Sequence, residues 1–209
     1  FSISYIRTDL QNDGSRPVLF LFNGGPGSSS SMLHLGVGPI RKAFSGSDDS
    51  IIIADGYCVL DAVDLVFIDP VGTGYSRYFE EGSGSKFWGI EEDADSIIQF
   101  MESWLESHNR QGSPIFILGE SYGGMRATEI LDRSKKIQFE GGLMISPAFE
   151  RLSTSPVLGN NLPYIFWLPS MAVTSAFHEV TDLRGQTFDA LFNKAAIFAQ
   201  TEYTEALGL

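Results

Sequence analysis

Four short stretches of uninterrupted apolar character stand out along the chain, at residues 17–22 (PVLFLF), 64–68 (DLVFI), 114–118 (PIFIL) and 142–145 (GLMI), each ended by turn-forming residues. Runs of this kind belong to strands buried on both faces, as in a parallel sheet. Between the second and third, Ala94, Ile97, Ile98, Met101, Trp104 and Leu105 recur at i, i+3, i+4, i+7 spacing and predict an amphipathic crossover helix. Phe1-Ser2-Ile3-Ser4-Tyr5-Ile6 alternates like a strand, so the chain is expected to start inside a structural element. Strand and helix in alternation predict an α/β fold, a mostly parallel sheet with flanking helices. After Pro147 the pattern turns to Gly/Pro-punctuated loop and then to helical spacing without strands, ending with Phe188, Leu191, Phe192, Ala195 and Ala196 on the way to a possible C-cap at Gly208. The expected division is therefore 1–150 for the sheet domain and 151–209 for the beginning of a helical insertion.

Composition narrows the possible functions. With 43% hydrophobic and 12% aromatic residues, the 209-residue chain has material for a real core. A net charge of −12 argues against nucleic acid and anionic lipid as partners, which are held by clustered Lys and Arg. The acidic groups Glu80, Glu81, Glu91, Glu92, Asp93 and Asp95 read as a solvated helix face, so no metal site and no cofactor is expected. Cys58 is the sole cysteine and reads as a bystander in an apolar stretch; no intrachain disulfide can form. The longest apolar run, 162–177, is interrupted by Pro163, Pro169 and Ser170 and falls short of the roughly 20 residues of a membrane span, so no membrane partner is expected. Compartment and oligomeric state stay open, with a periplasmic or secreted setting favoured.

In open parallel sheets the site lies at the carboxyl ends of the strands, and three of the four runs end in unusual punctuation. The third leads into Gly119-Glu120-Ser121-Tyr122-Gly123, then Gly124 and a helix predicted over 125–132. This is G-x-S-x-G in the strand–turn–helix setting that presents a nucleophilic serine on a sharp bend, with helix N–H groups behind it to favour negative charge. The first leads into Asn23-Gly24-Gly25-Pro26-Gly27-Ser28-Ser29-Ser30, where a side chain would block a substrate carbonyl and a backbone N–H can meet an oxyanion. A phosphate loop is the rival reading, but the G-K-[ST] ending is absent and Pro26 removes a donor. The second leads into Asp69-Pro70-Val71-Gly72-Thr73-Gly74-Tyr75-Ser76, a tight turn that lacks the third glycine of a dinucleotide fingerprint.

Taken in this order and spacing, NGGPGSSS, DLVFIDPVGTGYS and ILGESYGG resemble the serine carboxypeptidase family of the α/β-hydrolase superfamily, over about residues 1–180. The resemblance implies an α/β-hydrolase sheet and a peptide substrate with a free C-terminal carboxylate, cleaved through an acyl-enzyme. It implies Ser121 as nucleophile, the N–H groups of Gly25 and Tyr122 as oxyanion donors, and Asn23, Gly24, Glu120 and Tyr75 as substrate-binding residues. Asn23 and Glu120 would hydrogen-bond the substrate carboxylate. Glu120 can donate there only when protonated, so acidic pH is expected to favour peptidase activity. Residues 161–178 resemble the start of the lid of prokaryotic-type members. Ser28, where eukaryotic members often carry cysteine, points the same way.

Two features depart from the family pattern. The segment Leu33-His34-Leu35-Gly36-Val37-Gly38 has no second glutamate to assist Glu120. A triad also needs an acid and then a histidine after the serine. Between Ser121 and His178 the only aspartate is Asp132, roughly 16 Å along the predicted helix. His34 and His108 precede the serine, and all three histidines are expected to be non-catalytic. The missing acid and base are expected beyond Leu209, which would leave this chain inactive on its own. An esterase or acyltransferase on the same scaffold, and a non-enzymatic binding module, remain as alternatives.

Overall fold

A computed structural model describes residues 1–10, 14–44, 50–54, 56–79, 83–150 and 154–208. Glu80 and Glu81 of the acidic group, and residues 151–153 at the expected domain boundary, lie outside the described residues. The chain divides into two compact units, Phe1–Phe149 and Glu150–Leu209.

The first unit is built on five strands, β1 (Ser2–Tyr5), β2 (Val18–Phe22), β5 (Asp64–Ile68), β6 (Ile115–Glu120) and β7 (Phe139–Ile145). They lie in the order β1-β5-β2-β6-β7. β1 pairs antiparallel with β5, and the other pairings are parallel. The mostly parallel sheet and all five expected strands are borne out. The chain leaves β2 to reach β5 on one side, and leaves β6 to reach β7 on the other. The carboxyl ends of β2 and β6 thus border the switch point where such sheets open a crevice.

β2 is buried along its whole length, and its side chains serve the two faces in turn. Val18, Phe20 and Phe22 pack with Ala94, Ile97, Met101 and Trp104 of α2 (Ile90–Ser107) and with Ala127 and Ile130 of α3 (Tyr122–Arg133). Leu19 and Leu21 face the opposite way, against Leu33 of α1 (Ser31–Val37), Leu65, Phe67 and Leu118. The predicted crossover helix is α2, and its indole at Trp104 donates to Ser4 Oγ at 3.0 Å, tying it to the edge strand. A two-stranded antiparallel sheet, β3 (Ile40–Phe44) with β4 (Ser50–Ala54), was not predicted. Helix α3 begins three residues earlier than expected, directly after Ser121.

The second unit contains α4 (Leu162–Phe177), α5 (Phe188–Gln200) and α6 (Glu202–Ala206). Pro163 occupies the first turn of α4, where its missing N–H costs nothing, and Thr187 Oγ1 caps α5 by accepting from Ala190 N at 3.2 Å. Gly208, at φ 74°, follows α6 and not α5. Among the described residues no helix is long and apolar enough to cross a membrane.

At the amino ends of the strands a carboxylate is fully buried. Asp64 accepts from Arg16 Nε at 2.7 Å, Arg110 Nη1 at 2.6 Å and Arg7 N at 3.2 Å, and Arg110 itself is 1% exposed. Burial pushes the Asp64 carboxyl up, and these donors more than offset it, holding it below the ordinary carboxylate value. Asp64→Ala leaves two guanidinium groups without their anion and is expected to cost about 3–5 kcal/mol in urea unfolding. Because the folded value is depressed, the stabilisation is complete above the unfolded value of about 3.9 and disappears as pH falls through the lower folded value. The stability difference between wild type and Asp64→Asn should therefore be constant above about pH 5 and shrink below about pH 4.

Candidate active site

Ser121 joins β6 to α3 at φ 58° and ψ −123°, a region that a residue with a side chain enters only under constraint. Its N–H donates to Ile145 O at 2.9 Å, and its carbonyl accepts from Gly124 N at 2.9 Å and Ala148 N at 3.2 Å. The bend is clamped between the end of β7 and the first turn of α3. Small neighbours make it possible, since a Cβ on Gly119 would stand 2.0 Å from Gly123 O.

The turn after β2 lies directly against this bend. A Cβ on Gly24 would stand 2.5 Å from Tyr122 N, 2.7 Å from Glu120 O and 2.8 Å from Gly123 N. Backbone therefore meets backbone. Gly25 is exposed, with φ 108°, and Gly24 O accepts from Ser28 N at 3.1 Å to close the turn. Tyr122 is the first residue of α3, so its N–H has no acceptor within the helix.

Asn23 is 4% exposed and uses both ends of its amide: Nδ2 donates to Glu120 Oε2 at 2.7 Å, and Oδ1 accepts from Leu33 N at 3.0 Å. The two residues assigned to carboxylate recognition are thus hydrogen-bonded across the ends of adjacent strands. Asp69, after β5, binds the remaining loop: Oδ1 accepts from Ser30 N at 2.9 Å and Oδ2 from Tyr75 N at 3.0 Å. Tyr75 itself is 78% exposed, its ring 5.1 Å from that of Phe1. A cavity of about 380 Å³ adjoins the glycine-rich turn at Pro26 and Gly27, with Thr73, Tyr78, Trp88 and Asp93 also on its wall; Ser121 and Glu120 do not line it.

One expectation is corrected here. Asp93 is not on a solvated face: it is 6% exposed and paired through Oδ2 with Arg126 Nε at 2.7 Å, and Arg126 is entirely buried. Burial raises the Asp93 carboxyl, with the Arg126 charge opposing it. Arg126 also donates through Nη1 to Asn23 O at 2.6 Å and through Nη2 to Pro26 O at 3.4 Å. Glu91 and Asp95 do face solvent, where both pair with Arg133. The spacing held a signal for the buried pair, because Asp93 precedes Ile97 by one helical turn and Arg126 precedes Ile130 by one.

Neither histidine of the first unit is hydrogen-bonded to the serine. His34 Nε2 is 2.6 Å from Tyr5 Oη, and its ring lies 4.9 Å from that of Phe67. Burial lowers its pKa, with Asp69 pulling the other way. His108 stacks on Trp104 at 4.1 Å and is exposed, as is Asp132 near the far end of α3. His178 follows α4 in the second unit. Among the described residues the Ser121 hydroxyl has no hydrogen-bonding partner, and no group of three or more His, Cys, Asp or Glu residues could hold a metal ion.

A family model described as serine carboxypeptidase matches residues 4–189. The chain is 35% identical over 136 residues to a pheromone-processing carboxypeptidase, KEX1, of Fusarium vanettenii, covering 59% of this chain and 20% of that protein. It is 32% identical over 168 residues to the retinoid-inducible serine carboxypeptidase of Homo sapiens, covering 74% of this chain and 35% of that protein. The chain thus spans 20% to 35% of the length of these relatives. A crystal structure of KEX1ΔP, a prohormone-processing carboxypeptidase from Saccharomyces cerevisiae, shares the fold with a TM-score of 0.59 at 18% identity, over 94% of this chain and 47% of that one.

The backbone contact between the two turns gives a paired prediction. Gly24→Ala forces main chain apart and is expected to destabilise by about 1–3 kcal/mol or more. Gly27→Ala, where a Cβ meets nothing within 4 Å, should stay within about 0.5 kcal/mol of wild type. Thermal or urea unfolding of the two variants side by side reads the difference.

Proposed function

The chain belongs to the serine carboxypeptidase family, and from that premise we propose that it carries the nucleophile, oxyanion donors and carboxylate-recognition residues of a serine-type carboxypeptidase. The observation that carries this reading is the close approach of Gly24 to Tyr122 N beside the strained Ser121 bend. In the proposed reaction Ser121 Oγ attacks the last peptide carbonyl, and its proton passes to a base. The carbonyl oxygen becomes an oxyanion held by Gly25 N–H and Tyr122 N–H. Collapse expels the C-terminal amino acid after protonation of its nitrogen, and water then releases the acyl group from Ser121.

Asn23 and Glu120 would recognise the substrate's terminal carboxylate. Their mutual hydrogen bond at 2.7 Å supports a shared role, with Tyr75 on the adjacent loop beside the substrate. The triad acid and base are proposed to come from chain outside these 209 residues, since His34 and His108 precede Ser121 and are engaged with Tyr5 and Trp104, and the only aspartate between Ser121 and His178 is Asp132. Residues 151–209 are proposed as the start of a helical lid, and the source of substrate as a peptide.

The test uses the protein that contains this chain together with its remaining sequence. A blocked dipeptide with a free carboxylate should be cleaved, and its C-terminal amide should be cleaved far less well. Ser121→Ala should lower kcat by about 10⁴-fold or more. Glu120→Ala, which removes the acceptor of Asn23 Nδ2, should raise KM for the dipeptide about tenfold or more and narrow the difference between free carboxylate and amide. Equal cleavage of the free-carboxylate and amide dipeptides by wild type contradicts the carboxylate role. Turnover of an acyl ester without any peptide cleavage would favour acyl transfer on this scaffold.

A further inference from the structure

We infer that Arg126 is the positioning residue that sets the oxyanion-forming turn, and that Asp93 acts by fixing Arg126. The inference deepens the reading of Ser121 as nucleophile and rests on it. No sequence motif assigned either residue a part in the site.

The argument is geometric. Three faces of one guanidinium have three separate targets: Asp93 Oδ2 at 2.7 Å, Asn23 O at 2.6 Å and Pro26 O at 3.4 Å. The ring centroids of Phe22 and Tyr122 each lie 5.3 Å from the guanidinium carbon. Asn23 and Pro26 flank Gly24 and Gly25. Arg126 therefore anchors the Asn23–Gly24 peptide plane, directly before the plane that carries Gly25 N–H, and the Pro26–Gly27 plane, two after it, while the Gly24–Gly25 plane itself is held by Ser28 N donating to Gly24 O at 3.1 Å. In a trans peptide the carbonyl and the N–H point in opposite directions, so a fixed carbonyl aims the N–H. Together these bonds fix the donor that the oxyanion would meet.

The choice of arginine fits this task. A wholly buried charge is costly, and apolar replacements of buried ion pairs are often tolerated or stabilising. A planar fork of five donors can span a carboxylate and two carbonyls at once; lysine has a point charge and apolar side chains have no donor. Asp93, in the first turn of α2, supplies the countercharge to Arg126 Nε.

In the protein containing this chain and its remaining sequence, R126M should lower kcat on the order of 10²-fold while KM stays within about threefold, because the lost alignment matters in the transition state. R126K, which keeps charge and bulk but loses the fork, should lose about tenfold in kcat. D93A should lose kcat in the same direction, and R126M/D93A should be no worse than R126M alone. Amide hydrogen exchange of the Gly24–Ser28 turn should quicken at least about tenfold in R126M. Reduced thermal stability with unchanged kcat in the folded fraction would overturn the inference, as would additive losses in the double variant. Should R126M not fold, R126K decides by the same split of kcat against KM. If wild type turns over neither peptide nor ester, the proposed function fails by itself, and unchanged exchange in the turn would still refute this assignment.

Discussion

The site depends on one contact in which two lengths of main chain touch without an intervening side chain. The turn after β2 rests on the bend after β6 at Gly24, where even a methyl group would meet three backbone atoms closer than 3.0 Å. The strands bring their carboxyl ends together because Phe22 and Gly119 are register partners, and the fully buried β2 holds that register through both faces of the core. A one-residue slip would exchange the two core faces and carry Asn23 away from Glu120. The chemistry at the top of the sheet thus follows from hydrophobic alternation within it.

Charge is used inside the unit in two places at opposite ends of the strands. Asp64 collects Arg16 and Arg110 at the amino ends, joining loops distant in sequence. Arg126 does the reverse at the carboxyl ends, one cation collecting Asp93 and two backbone carbonyls. The first network ties strand entry points together, whereas the second borders the strained serine bend and gives its neighbouring turn a single shape. Asp69 completes the arrangement by accepting from two loops at once.

Much of this was legible in the sequence. The apolar runs at 17–22, 64–68 and 114–118 became central strands because full burial leaves no polar alternation to confuse the pattern. The helix over 94–105 followed from its spacing. The hairpin of β3 and β4 was missed because Arg41 and Lys42 interrupt the first strand, and α1 because a seven-residue helix containing Gly36 carries almost no periodic signal. Gly123 and Gly124 hid the first turn of α3, where close packing outweighs poor helix propensity. The Asp93–Arg126 pair was missed for a different reason. Its partners are 33 residues apart, and a charge within the acidic run 91–95 is read as solvated unless its place on the buried stripe is counted.

The central claim is that Ser121 and the two turn amides form one catalytic constellation, and a crystal structure of the protein treated with a peptidyl phosphonate tests it most directly. The account predicts phosphorus bonded to Ser121 Oγ and a phosphonyl oxygen about 2.7–3.1 Å from both Gly25 N and Tyr122 N. A phosphonate attached to a different residue, or one on Ser121 whose oxygens point away from both amides, would contradict it.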